Sequence, residues 1–197
     1  MPDAPPPPPR SWTDASETLL AFAAQDLDTG GAPLPMLLAF EGDRPHALVT
    51  LRPFGPDEVL QALIEVLSLL LPLGADRLAC ALPARSPDGP EHDLDERHLL
   101  MVLADGHLGP CRTALSLRPG RPTPQGWRWR EPREDPTGVA SALPGALSVL
   151  LDAREELVTG PSSELRLAAQ FGRILLLGHE LVVAPRLARR LELATSS

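Results

Sequence analysis

The sequence predicts an α+β protein: a mainly antiparallel sheet of five to six strands, one buried helix, and further helices toward the C-terminus. Three observations predict it. Apolar runs of strand length are joined by brief segments rich in Gly, Pro and Asp, which favours antiparallel neighbours. The run 56–71 is apolar on almost every side, as a helix buried by several neighbours would be. After Pro136 the strand-length runs give way to helical periodicity.

The elements follow in order. Residues 1–10 hold a run of prolines ending at Arg10 and are expected to form a disordered tail. A helix is expected over 13–28, capped by Ser11 or Thr13, with Leu20, Ala23, Ala24 and Leu27 on one face and Gly30 and Gly31 ending it. Strands follow at 36–40 and 46–52, with Gly42-Asp43-Arg44-Pro45 as the hairpin loop. Pro56 then opens the helix over 56–71, where Asp57 and Glu58 suit the positive end of the dipole. Its polar stripe is narrow: Gln61, Glu65 and Ser68.

Further strands are expected at 78–82, 98–104 and 111–117, with a short sixth around Trp127-Arg128-Trp129-Arg130. A polar, acidic loop spans 84–96. Near the C-terminus one helix is expected over 144–157. A longer one runs from Ser163 toward Pro185, its apolar face including Leu167, Phe171, Ile174, Leu175, Leu181 and Val182. A last helix carries Leu187 and Leu191. The expected organisation is a tail over 1–10, an α+β sheet domain over 11–135, and a helical segment over 136–197 packed on the same core. The order α-β-β-α-β-β-β resembles the roadblock and profilin-like folds over residues 13–130. No sequence motif accompanies that resemblance.

Composition narrows the functions available. The chain has 197 residues and a net charge of −8, enough length to bury roughly 70% of its unfolded surface without a disulfide or metal. The charge is uneven. Residues 1–98 hold 6 Arg and 16 acids, whereas 99–197 hold 12 Arg and 10 acids. An acidic chain is a poor match to nucleic acid, because phosphate neutralisation supplies most of that affinity. Lys, Asn and Tyr are absent, which reads as the codon bias of a high-GC genome. The absence removes Schiff-base lysine, P-loop lysine and tyrosine chemistry. Cys80 and Cys111 lie in apolar runs and are expected as buried thiols. With no signal-peptide pattern and no uninterrupted apolar span, the expected location is the cytoplasm and no membrane span is expected.

Four sets of residues could carry chemistry. Glu91, His92, Asp93, Asp95, Glu96 and His98 form an acidic, imidazole-bearing loop. Within it His92, Asp93, Asp95 and His98 are the candidate metal ligands, although the spacing fits no established motif. Adding Asp105 and His107 fails, since His98 and His107 bracket one strand and would sit about 30 Å apart. His179-Glu180 looks like an acid–base pair but HExxH fails at Val183, so a packing histidine is expected. The segment 118–133 interleaves Arg118, Arg121, Arg128, Arg130 and Arg133 with Trp127 and Trp129. That mixture suits single-stranded nucleic acid, but alternation puts the tryptophans and Arg128/Arg130 on opposite faces, as a core-anchored edge strand would. Arg186, Arg189 and Arg190 form a basic face that the helix dipole accounts for.

No catalytic residue and no cofactor is expected. The leading expectation is a non-enzymatic protein-binding or scaffolding domain whose partner is another protein or a second copy. The alternatives are a metal-assisted hydrolase using 91–98 and a single-stranded nucleic-acid binder using 118–133.

Overall fold

The computed structural model describes residues 10–84, 96–133, 142–154 and 163–195. The proline run therefore falls outside the described residues, as does most of the acidic loop. After a one-turn 3-10 helix at Trp12–Asp14, the chain forms α1 (Ala15–Asp28), β1 (Met36–Glu41), β2 (Arg44–Thr50) and α2 (Val59–Leu70). Then come β3 (Arg77–Ala84), β4 (Arg97–Asp105), β5 (Arg112–Thr123) and β6 (Gly126–Trp129). The C-terminal part adds α3 (Ala142–Asp152), α4 (Ser163–Leu176), β7 (Glu180–Val183) and α5 (Pro185–Thr195).

All strands join one seven-stranded sheet in the order β6-β5-β4-β3-β1-β2-β7, and each neighbouring pair is antiparallel. The expected five to six strands thus become seven. The extra strand comes from within the expected long helix of 163–185. That helix stops at Leu176, and Gly178 takes a positive φ of 89°, which a side chain resists. Leu181, Val182 and Val183 then continue as strand. The segment 180–183 is too short for periodicity to separate helix from strand. Pairing with β2 decides it, with Leu48 opposite Val182 and Val49 opposite Leu181.

Alternation along the strands gives the sheet two apolar faces. Met36, Leu38 and Phe40 of β1, with Ala79, Ala81, Leu99 and Met101, meet Ala15, Leu19, Leu20 and Ala23 of α1. Leu37, Ala39, Leu78, Cys80, Leu82, Leu100 and Val102 face the other way. There they join α2 through Leu63, Val66, Leu67 and Leu70 and α3 through Leu143, Leu147 and Leu151. Leu167 and Ile174 of α4, with Leu187 and Leu191 of α5, complete the same cluster. Each fully buried leucine of this kind contributes about 1.5–3 kcal/mol. The apolar surface of α2 that the sheet leaves over is thus met by α4. Gln170 of α4 donates to the backbone carbonyl of Glu65 (3.0 Å) and to the hydroxyl of Ser68, seating the two helices.

Among the described residues no helix is long and apolar enough to cross a membrane.

Candidate functional site

Two carboxylate–imidazole pairs stand out in the folded chain, and neither was singled out as a pair by the sequence. The first centres on Glu65. It lies on the expected polar stripe of α2, yet its side chain is only 8% exposed. Arg52, just past β2, approaches with Nε 3.0 Å from Oε2 and Nη2 3.2 Å from Oε1. Gln61 donates to Oε1 at 3.2 Å. His179, in the turn between α4 and β7, is fully buried and places Nε2 2.9 Å from Oε2. Its Nδ1 accepts the backbone N–H of Arg52 at 3.1 Å, so Nε2 is the nitrogen that donates to Glu65. The Arg52 hydrogen bonds hold the Glu65 carboxyl down at about 2 against the opposing effect of burial, with help from His179 and Gln61. With so many donors on one carboxylate, neither oxygen is left as a free base. The network ties the end of β2, the middle of α2 and the start of β7 together. His179 is a packing histidine with both nitrogens bonded, but it sits on a turn rather than on the expected helix.

The second pair lies where the β1–β2 turn, the start of β3 and the β4–β5 loop converge. Asp76 accepts the backbone N–H of Gly42 at 2.8 Å on Oδ1, and its Oδ2 lies 2.6 Å from Nδ1 of His107. Gly42 has a φ of +58°, and a side chain there would press on the imidazole. Beside them Arg77 donates from Nε to Asp105 at 2.9 Å, and its guanidinium lies 5.6 Å from the Trp12 ring centroid. Burial works to raise the Asp105 carboxyl, but Arg77 and the His107 backbone N–H outweigh it and hold the group low. The His107 side chain is 38% exposed. Among the described residues no hydrogen bond reaches its Nε2. An unbonded imidazole nitrogen on an exposed ring is what a general acid or base requires.

Of the metal candidates, His98 is the one among the described residues. His92, Asp93 and Asp95 lie outside the described residues. His98 is a buried residue of β4, with Nε2 3.5 Å from Glu96, whose other oxygen accepts Arg121 Nε at 3.1 Å. His107 lies just past the far end of β4, so the intact strand keeps the two histidines apart, as its length requires. Among the described residues no group of three or more His, Cys, Asp or Glu is arranged to hold a metal ion. Burial pushes the Cys80 thiol up to about 12, and it also raises that of the half-buried Cys111.

In the 118–133 segment Trp129 is committed to the fold. Its Nε1–H donates to the Leu20 carbonyl of α1 at 2.7 Å, and its ring lies over Gly120, where any side chain would collide with it. Trp127 is half-buried, and its backbone N–H bonds Asp28 at 3.0 Å. Arg128 and Arg130 are exposed. This is the arrangement of a core-anchored edge strand.

A different kind of surface appears at the other end of the sheet. Of the seven exposed large apolar side chains among the described residues, Leu175, Leu176 and Val182 fall within eight residues of chain. They flank or belong to β7, the terminal strand, and are 47%, 90% and 68% exposed. Sequence reasoning assigned Leu175 and Val182 to the apolar face of one long helix. The signal that could have exposed the error was Gly178, a helix-stopping residue inside the apolar pattern.

No family model, no curated protein and no solved structure matches the chain. The resemblance to roadblock and profilin-like folds expected from the element order finds no support in these comparisons.

Proposed function

We propose that the chain is a protein-binding or scaffolding domain rather than an enzyme, and that it meets its partner at the edge formed by β7 and the end of α4. The observation that carries this reading is β7 itself, a strand that ends the sheet and leaves Val182 68% exposed, with Leu175 and Leu176 exposed at the end of α4, which leads into it. An edge strand adds backbone donors and acceptors to the same surface. Two free thiols fit the cytoplasm as the place where the domain works.

A photo-crosslinking amino acid at Leu176, expressed in the native host, tests the reading. Adducts with protein are expected there and not at Ala114, an exposed position on β5 near the opposite end of the sheet. Equal adduct yields at the two positions would end the proposal.

A further inference from the structure

We propose that the partner at this edge is a second copy of the chain, paired β7 to β7 about a twofold axis with Val182 facing Val182. The inference rests on the protein-binding reading and names its occupant.

The hydrogen-bond pattern of β7 fixes which backbone groups are spare. Ala184 N–H donates to the carbonyl of His46 at 2.9 Å, which makes that position a hydrogen-bonded pair of the β2–β7 ladder. In an antiparallel ladder such pairs alternate with non-bonded ones. The register places Leu48 opposite Val182 and Thr50 opposite Glu180, so Val182 and Glu180 also turn their N–H and C=O toward β2. Leu181 and Val183 therefore turn theirs outward, away from the sheet.

A twofold axis perpendicular to the sheet keeps each face continuous across the join, so paired residues must belong to the same face. Two short registers satisfy this. In one, Leu181 meets Leu181, and Glu180 falls against Val182, a charge set against an apolar side chain. In the other, Val182 meets Val182. Leu181 of each copy then exchanges both backbone bonds with Val183 of the other, which uses the outward groups. Glu180 falls opposite Ala184, with no like charge facing it. Val182, now 68% exposed, becomes a close cross-strand apolar pair in the non-hydrogen-bonded position. Both registers obey the twofold axis, but the second does so without setting a charge against an apolar side chain, so the exposed edge closes on itself through a second copy.

Four residues of strand make a small contact beside the roughly 1,200–2,000 Å² of a standard stable interface. The pair is accordingly a reversible, concentration-dependent dimer. Each copy also carries a net charge of −8, so added salt tightens it by screening.

The test uses the full chain. Sedimentation equilibrium on the wild type should show a monomer–dimer equilibrium at tens to hundreds of micromolar. Val182→Lys should weaken it about tenfold or more, by setting like charges opposite each other, while leaving the circular dichroism unchanged. In a Cys111→Ser background, Val182→Cys should form an interchain disulfide on mild oxidation. The non-bonded antiparallel position brings Cα atoms to about 4.5 Å, within disulfide reach. Glu180→Cys should not crosslink. A wild type that stays monomeric, a Val182→Lys chain that dimerises as the wild type does, or equal crosslinking at residue 180 would each overturn the inference. If the Leu176 adduct proves to be a different protein and the wild type is monomeric, the second copy is ruled out and the protein-binding reading stands.

Discussion

The two carboxylate–imidazole pairs are built from the same kinds of group and end up with opposite properties. At Glu65 and His179 both imidazole nitrogens are bonded, the carboxylate accepts from Arg52, Gln61 and His179, and both side chains are buried. At Asp76 and His107 one imidazole nitrogen is bonded and the ring reaches solvent. The difference comes from location. The first pair lies between α2 and the incoming β7, so it joins segments distant in sequence. The second lies at the rim, where three turns meet. A carboxylate beside a histidine is therefore not itself a site; the free valence of the imidazole separates a tie from a potential acid–base group.

The largest expected effect breaks the first pair. Glu65→Ala leaves the Arg52 guanidinium, whose side chain is 17% exposed, without its counter-charge, and His179 without its acceptor. Removing one partner of a buried ion pair costs about 3–5 kcal/mol. Urea unfolding should show a loss of that size, with β7 amides losing hydrogen-exchange protection first. A loss under about 1 kcal/mol would mean that the network does not hold β7 in place.

Acid should sharpen the same contrast. The Glu65 carboxyl titrates at about 2 in the folded chain against an ordinary 4.5. Its folded value is the lower one, so between those values the unfolded chain binds the extra proton and stability rises with pH. The contribution is complete above about 4.5 and drains away as pH falls toward about 2. In Glu65→Gln the stability–pH curve should flatten across that window by up to about 1.4 kcal/mol per pH unit. Curves of equal slope for the two chains would refute the assignment.

Much of the sheet and the burial of α2 was legible in the sequence, because strand-length apolar runs and the apolar run of α2 are local signals. Three features were not. Glu65 reads as part of a solvated stripe with Gln61 and Ser68, and its burial depends on Arg52 and on His179, which is 114 residues away. β7 reads as helix, since Leu181 and Val182 extend the apolar pattern of α4, and its pairing with β2 is a contact no local pattern encodes. Asp76 and His107 lie 31 residues apart and meet because β3 and β4 pair in register. His98, the metal candidate among the described residues, enters a strand and is buried.

The smallest effect on stability, and the most selective on reactivity, belongs to His107. Its side chain is 38% exposed, and Asp76 keeps the Gly42 N–H when the imidazole is removed. His107→Ala should therefore cost under about 1 kcal/mol, the range of exposed pairs. Its chemistry should be distinctive all the same. Diethyl pyrocarbonate acylates an accessible imidazole nitrogen with a free lone pair. Nε2 of His107 offers one, because Nδ1 is turned to Asp76. His179 offers none, as Nδ1 accepts from Arg52, Nε2 donates to Glu65 and the ring is fully buried. His46 and His98 are shielded by burial at 3% and 4% exposure. Peptide mapping by mass spectrometry should find His107 modified well ahead of His46, His98 and His179. Glu65→Ala should bring His179 up toward the rate of His107, since it removes the bond that seats the ring. Comparable rates for His179 and His107 in the wild type would show that the two pairs do not differ in access, and the contrast between them would collapse.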